Sequence, residues 1–170
     1  TRAFSFDGRA MTGVAGDTIA SALLANGQTL VGRSFKYHRP RGIVASGAEE
    51  PNGLVNLGAG GRLEPNQRVT TTILVDGMEM TSQNRWPSLA FDVGAINAHL
   101  SRLLPAGFYY KMFIHPRSFW KHVYEPFIRK SAGLGKAPQD RDPDKYEHVH
   151  AHCDLLVVGG GIAGLLAAKL

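Results

Sequence analysis

Along the first part of the chain, apolar and polar residues alternate in short bursts separated by turn residues. Ala3-Phe4-Ser5-Phe6, then Asp7-Gly8, then a second run reaching Val14 predict a strand pair, because Asp-Gly tolerates the positive φ of a tight hairpin turn. The spacing then changes. Ile19, Ala22 and Leu23 stand at i, i+3 and i+4, which predicts a helix from Thr18 to Asn26-Gly27, capped by Asp17, with its apolar face over the sheet. Leu54-Val55-Asn56-Leu57 forms another short apolar run before a glycine-rich turn. Val69 to Val75 and Met78 to Thr81, joined by Asp76-Gly77, predict a second hairpin. Over residues 1–83 these elements predict a small β-grasp domain.

From Asn84 to His152 the pattern is different, with aromatics and prolines replacing the short strands. Asp92 is placed to cap a helix in which Val93, Ile96, Leu100 and Leu103 share a face, ending before Pro105. A second helical stretch begins after Ser118, is interrupted by Pro126 and ends at Gly133. The aromatic run Phe108-Tyr109-Tyr110-Lys111-Met112-Phe113 between them predicts burial against this domain or a partner. Gly135 to Lys145, rich in Asp, Pro and Arg, reads as an exposed linker. Residues 84–152 are thus a connecting segment.

Residues 153–170 carry a different signal. The apolar run Leu155-Leu156-Val157-Val158 meets Gly159-Gly160-Gly161-Ile162-Ala163-Gly164 and then helix formers to Leu170. A buried parallel strand would reach a tight turn at Gly159. Gly161 would let the backbone approach a pyrophosphate, and Gly164 would let the helix lie against the strand. Gly160, Ile162 and Ala163 would supply backbone N–H groups at the positive end of the helix dipole. The acidic residue that would separate NAD from FAD falls beyond this segment. The expected fold class is therefore α+β: a β-grasp domain, then the first βα unit of a Rossmann-type dinucleotide-binding domain. Thr1-Arg2-Ala3-Phe4 has neither an initiator Met nor a signal-peptide pattern, so the sequence reads as a segment of a longer chain.

Composition narrows the classes. A hydrophobic content of 44% is ordinary for a globular protein, and no run approaches the roughly twenty apolar residues of a membrane span. The net charge of +5 includes Arg33, Lys36, Arg39 and Arg41 within nine positions. Such a cluster suits phosphate or an acidic partner, or is a solvated loop. Nucleic acid is not expected, because no nucleic-acid-binding motif accompanies the charge. Cys153 is the single cysteine, which excludes an intrachain disulfide and fits a reducing cytoplasm; it is read as a packing residue. His148, His150 and His152 would share one side of an extended segment and could ligate zinc, but no carboxylate supports them and no metal site is assigned.

The chain resembles the N-terminal part of the α subunits of heterotetrameric sarcosine oxidases. The likeness is carried by Gly16-Asp17-Thr18-Ile19-Ala20-Ser21-Ala22-Leu23-Leu24-Ala25-Asn26-Gly27, by Gly32-Arg33-Ser34-Phe35-Lys36-Tyr37-His38-Arg39-Pro40-Arg41-Gly42, by Trp86-Pro87-Ser88-Leu89, by Leu104 to Lys111 and by the glycine motif. Related subunits of amine and opine dehydrogenases hold a [2Fe–2S] cluster in this domain through four thiolates. No cysteine occurs between Gly42 and Thr72, so a ferredoxin-like but cluster-free domain is expected. The resemblance implies a cytoplasmic complex with β, γ and δ subunits, NAD in this subunit, and FAD and FMN elsewhere in the complex. It also implies tetrahydrofolate as acceptor of the one-carbon unit and no catalytic residue in this segment. The competing expectations are the α subunit of an opine or proline-type dehydrogenase, and a pure interaction module using Arg33 to Arg41.

Overall fold

The structure is a computed structural model of the 170-residue chain and describes residues 1–103, 107, 115–131 and 135–170. Strands β1 (Arg2–Phe6) and β2 (Arg9–Gly13) pair antiparallel with Phe4 opposite Met11. Asp7 and Gly8 at the turn both have positive φ, 49° and 80°, as the Asp-Gly signal requires. Helix α1 (Ile19–Ala25) follows, then β3 (Leu30–Arg33) and β4 (Pro40–Gly42), a separate two-stranded hairpin. Strands β5 (Leu54–Leu57), β6 (Glu64–Arg68) and β7 (Met78–Ser82) complete a five-stranded sheet in the order β2-β1-β7-β5-β6. Only the β1–β7 pair in that sheet is parallel. Its strands are therefore joined by everything between them, helix α1 included, rather than by a turn.

Alternation places one set of side chains under the helix. Phe4, Phe6, Met11, Val55 and Met80 from the strands meet Ile19, Ala22 and Leu23 from α1, and Val31, Val69 and Leu74 close the cluster. Each fully buried aliphatic here contributes about 1.5–3 kcal/mol over its exposed state. The cap of α1 differs from expectation. Thr18 is the cap, its hydroxyl accepting from the Ser21 N–H. Asp17 instead accepts from the Val14 N–H at 2.9 Å and the Ser21 hydroxyl at 2.8 Å, which holds the turn between β2 and the helix.

The second hairpin does not form. Thr72 donates to Arg68 O through both N–H and hydroxyl, turning the Val69–Val75 run out of the sheet. The run is bound to α1 instead, with the Ala20 N–H on Val69 O and the Leu74 N–H on Asp17 O. Val69 and Leu74 are thereby buried beneath the helix start. The Asp76-Gly77 turn then feeds β7 between β1 and β5, and the strand paired with β5 at the edge is the polar β6.

Beyond the sheet the helices are shorter than the apolar spacing predicts. Asp92 caps a single 3-10 turn at Val93–Ala95, accepting from the Gly94 N–H, and α2 (Ile96–His99) adds about one turn before a second 3-10 turn at Ser101–Leu103. Val93, Ile96 and Leu100 are exposed. A wide π-type turn at Trp120–Tyr124 runs into α3 (Glu125–Ser131). The run passes through Pro126 instead of being interrupted there, and the wide turn stands just before the position where proline removes a helical N–H bond. The aromatic run Phe108–Phe113 and Gly133 lie outside the described residues. The linker has no regular structure, yet it follows the sheet edge, where Arg62 binds Asp144 in a two-bonded pair.

The expected first βα unit of a Rossmann domain is corrected by the C-terminal segment. Leu155–Val158 form no strand, with Leu155 and Val158 77% and 86% exposed. Helix α4 (Ile162–Lys169) follows with no buried residue. A parallel strand must have both its apolar faces and its ladder of N–H and C=O groups covered by neighbours. Among the described residues no strand pairs with the run.

Candidate functional site

Between β4 and β5 the chain folds around one carboxylate. Glu50 is 1% exposed. Its Oε2 accepts from the N–H groups of Val44 and Ala45 at 2.8 and 2.6 Å, and its Oε1 from those of Asn52 and Gly53 at 2.7 and 3.0 Å. Burial by itself would raise this carboxyl, but the four converging donors outweigh it and hold the group below the usual carboxylate range. A Cβ on Gly53 would lie 2.7 Å from the Val69 side chain and 3.1 Å from that of Glu50, so the loop closes only with glycine there. Nothing in Glu49-Glu50-Pro51 marks Glu50 as buried; it reads as a surface acid.

A second constellation joins hairpin β3–β4 to the loop at 86–94. Arg33 Nε and Nη2 both donate to Leu89 O, at 3.2 and 2.9 Å, and its Nη1 donates to His38 O. His38 Nδ1 lies 2.7 Å from Asp92 Oδ2. The buried Asp92 also accepts from the Trp86 N–H through Oδ1, at 2.8 Å. A Cβ on Gly94 would sit 2.3 Å from the His38 ring, so the imidazole rests directly on that backbone. The capping role of Asp92 was legible from sequence; its grip on His38, 54 residues away, was not.

Two of the four basic residues in the cluster lie over one ring. Lys36 Nζ and Arg39 Cζ stand 4.8 and 4.9 Å from the centre of Tyr37, within cation–π range. Arg41 donates to Asn52 Oδ1. A cleft of about 270 Å³ opens beside them, with Arg33, Phe35, Arg41 and Asn52 in its wall. At the far sheet edge a wider groove carries Glu64, Glu79, Asp140, Asp142 and Asp144. There the hydrogen bond to Arg62 holds the Asp144 carboxyl below its ordinary value, and the bond to Asp142 pushes the Tyr146 phenol up.

The predicted phosphate loop is open. Gly159 has φ of +116°, and nothing stands within 4 Å of a Cβ built on Gly159, Gly160 or Gly161. Gly161 caps α4, and the Leu165 N–H binds its carbonyl. A Cβ on Gly164 would fall 2.0 Å from Gly159 O, so this glycine permits a close approach of turn and helix, although the expected strand is missing. Ile162 and Ala163 begin the helix and are exposed. Cys153 is exposed rather than packed. His148, His150 and His152 are exposed, and among the described residues no group of three or more His, Cys, Asp or Glu side chains could hold a metal ion.

Comparison with known proteins bears on this geometry. Residues 3–85 match a family described as a 2Fe-2S iron-sulfur cluster binding domain. That match overturns the expectation of a cluster-free domain, since the family is defined by binding the cluster. The donors of this chain are a separate question. Its single cysteine, Cys153, lies outside the matched residues, and the Glu50 oxygens are turned onto backbone N–H groups. These residues do not fit thiolate ligation of a cluster.

The chain is 64% identical over 165 residues to the sarcosine oxidase subunit alpha of Rhizobium meliloti (strain 1021), a match covering 97% of the chain and 17% of that relative. It is 34% identical over 166 residues to the subunit of the same name from Corynebacterium sp. (strain U-96), covering 96% of the chain and 12% of the relative. A solved L-proline dehydrogenase from P. horikoshii aligns over 50% of this chain and 16% of its own, at 21% identity and a TM-score of 0.38. The chain thus spans about a sixth or less of the length of these relatives. Across that segment, the sequence is similar to sarcosine oxidase alpha subunits.

Proposed function

We propose that the chain works within the alpha subunit of a sarcosine oxidase, an oxidoreductase complex. In the overall reaction the N-methyl group of sarcosine is oxidised by two electrons, oxygen is reduced to hydrogen peroxide, glycine is released and the one-carbon unit passes to tetrahydrofolate. A flavin supplies the two-electron acceptor in this reading. The observation that carries it is the 64% identity over 97% of the chain. The segment itself contributes structure and assembly: the buried carboxylates among its described residues, Glu50 and Asp92, are spent on backbone N–H groups and on one imidazole.

For Gly159, Gly160, Gly161, Ile162, Ala163 and Gly164 the proposed role is contact with nucleotide phosphate. It is supported by the open space beside Gly159 to Gly161 and by the free N–H groups that any helix start presents. The partners in this reading are the beta, gamma and delta subunits, and the compartment is the cytoplasm. No helix among the described residues is long and apolar enough to cross a membrane.

The test uses the native assembly containing the intact chain. Hydrogen peroxide should form with sarcosine and not with an opine or proline. Turnover of an opine or proline in place of sarcosine would remove the chain from this function despite its sequence relatives.

A further inference from the structure

The loop between β4 and β5 surrounds its own acid with two clamps. Each clamp is a pair of consecutive N–H groups on one oxygen: Val44 and Ala45 hold Glu50 Oε2, while Asn52 and Gly53 hold Oε1, all four at 2.6–3.0 Å. Successive N–H groups turned to one side form a concavity that receives an anion. An ionised carboxylate offers about four lone-pair sites, and the four donors fill them. The clamps are also fastened by groups other than Glu50. Ile43 packs against the core just before the first clamp, and Gly42 is paired with Leu30 in the hairpin. At the second clamp the Val69 N–H donates to Gly53 O at 2.9 Å, and Arg41 donates to Asn52 Oδ1 at 2.9 Å. Between the two, the Thr70 hydroxyl donates to Gly47 O at 2.6 Å.

We propose that this loop is a binding site for a small carboxylate, with Glu50 as its built-in ligand. Charge defines the class of ligand. Among the described residues no Lys, Arg or His forms an ion pair with Glu50, so backbone dipoles alone meet the buried charge. They suit one negative charge spread over two oxygens. A phosphate or sulfate dianion would bring a second charge and further oxygens into the interior with nothing to meet them. Size follows from the covalent structure. Truncating Glu50 to alanine deletes a methylene and the carboxylate, which is the outline of acetate; truncating it to glycine deletes one carbon more, the outline of propionate. The backbone of Glu50, at φ −61° and ψ 115°, admits either residue without strain. Because the clamps are fastened from outside, an added ligand need not order them, and that lowers the cost of binding.

The test uses the native assembly containing the intact chain and follows hydrogen exchange, by mass spectrometry, in the peptide that carries Val44 to Gly53. In E50A and E50G, exchange of the four clamp N–H groups should quicken about tenfold or more, the loss expected when donors give up a charged acceptor. Acetate should restore protection to E50A saturably, and propionate, too long by one carbon, should do so less well. In E50G the order should reverse. Chloride and sulfate at equal ionic strength should restore neither variant, and wild type, with its site filled, should respond to none of the four. E50Q, whose amide occupies the space, should gain nothing from acetate. Absence of recovery with either carboxylate would overturn the proposal, because the clamps would then be taken by water or lost. Recovery with chloride or sulfate as full as with acetate would overturn it too, as would an order of acetate and propionate that is the same in E50A and E50G. Should a truncated variant fail to fold, its refolding from urea in each anion gives the same reading: a yield raised by the carboxylate of matching length supports the site, and equal yields in all four anions overturn it.

Discussion

Two apolar runs of similar composition meet opposite fates in this chain. Leu54-Val55-Asn56-Leu57 becomes β5, paired on both sides within a sheet, with Val55 wholly buried, whereas Leu155-Leu156-Val157-Val158 lies open with Leu156 72% exposed. The helices beside them divide the same way. Helix α1 buries Ile19, Ala20, Ala22 and Leu23, while α4, equally apolar and one residue longer, buries none. Hydrophobicity supplies a driving force, but it becomes structure only where strands stand on both sides to take the ladder and a layer covers the face. The first run has β6 and β7; among the described residues the second has no strand beside it. Local sequence states what a segment needs, and its neighbours decide whether the need is met.

The comparison breaks most visibly by truncating one leucine in each helix. Leu23→Ala in α1 removes a fully buried side chain and should cost about 2–5 kcal/mol. In a domain of about this size that is a fall in Tm of roughly 8–40 °C. Leu166→Ala in α4, already 58% exposed, should leave Tm unchanged within error. Equal losses by differential scanning calorimetry would mean that α4 is packed in solution and that the contrast drawn here is false.

The same contrast explains what could be read from the chain. The β1–β2 hairpin was legible because Asp7-Gly8 fixes a turn and alternation fixes a face; both signals act within a dozen residues. The face of α1 was legible for the same reason. What escaped was non-local. Val69 to Val75 looks like a strand beside an Asp-Gly turn, but Val69 and Leu74 are drawn under α1 and the polar Glu64–Arg68 takes the edge. The Leu155 run had every local mark of a buried parallel strand and lacked only the neighbours. At the candidate site, Arg33 and Arg41 were found as charge, whereas Glu50 and the His38–Asp92 pair were missed, because nothing in their surroundings in sequence reports the partners that bury them.

The Glu50 loop offers the next effect in size, and it separates burial by packing from burial by hydrogen bonding. Glu50→Gln keeps the shape but sets an NH2 group against N–H donors, at an expected cost of about 2–4 kcal/mol for charged acceptor bonds lost in the interior. The loss should depend on pH. The folded-state carboxyl lies below its ordinary value of 4.5, so its stabilisation is fully present above the unfolded-state value and disappears as pH falls through the folded one. Urea melts of wild type and E50Q should therefore differ most at neutral pH and converge below about pH 4.5, the ordinary carboxyl value. A gap independent of pH would show that the carboxylate's charge is not what the four donors recognise.

The smallest effect belongs to the linker, which stands between the two regimes: largely exposed like the C-terminal segment, yet tied to the sheet. The tie is the pair Arg62–Asp144, whose side chains are 62% and 43% exposed. An ion pair in that setting is screened by salt and offset by the ordering of two long side chains, so Arg62→Ala should leave the global Tm where it is. The pair does bring the linker alongside the turn at Gly60–Arg62, where a Cβ on Gly61 would strike Arg141 O at 2.2 Å. Releasing it should free the backbone around Arg141 without disturbing the sheet, so limited trypsin digestion should cut after Arg141 several-fold faster in the variant, and 0.5 M salt should bring wild type toward the same rate. If cleavage there is equally slow in both proteins, the close approach at Gly61 holds the linker without help from charge, and the linker then belongs with the packed region rather than between the two.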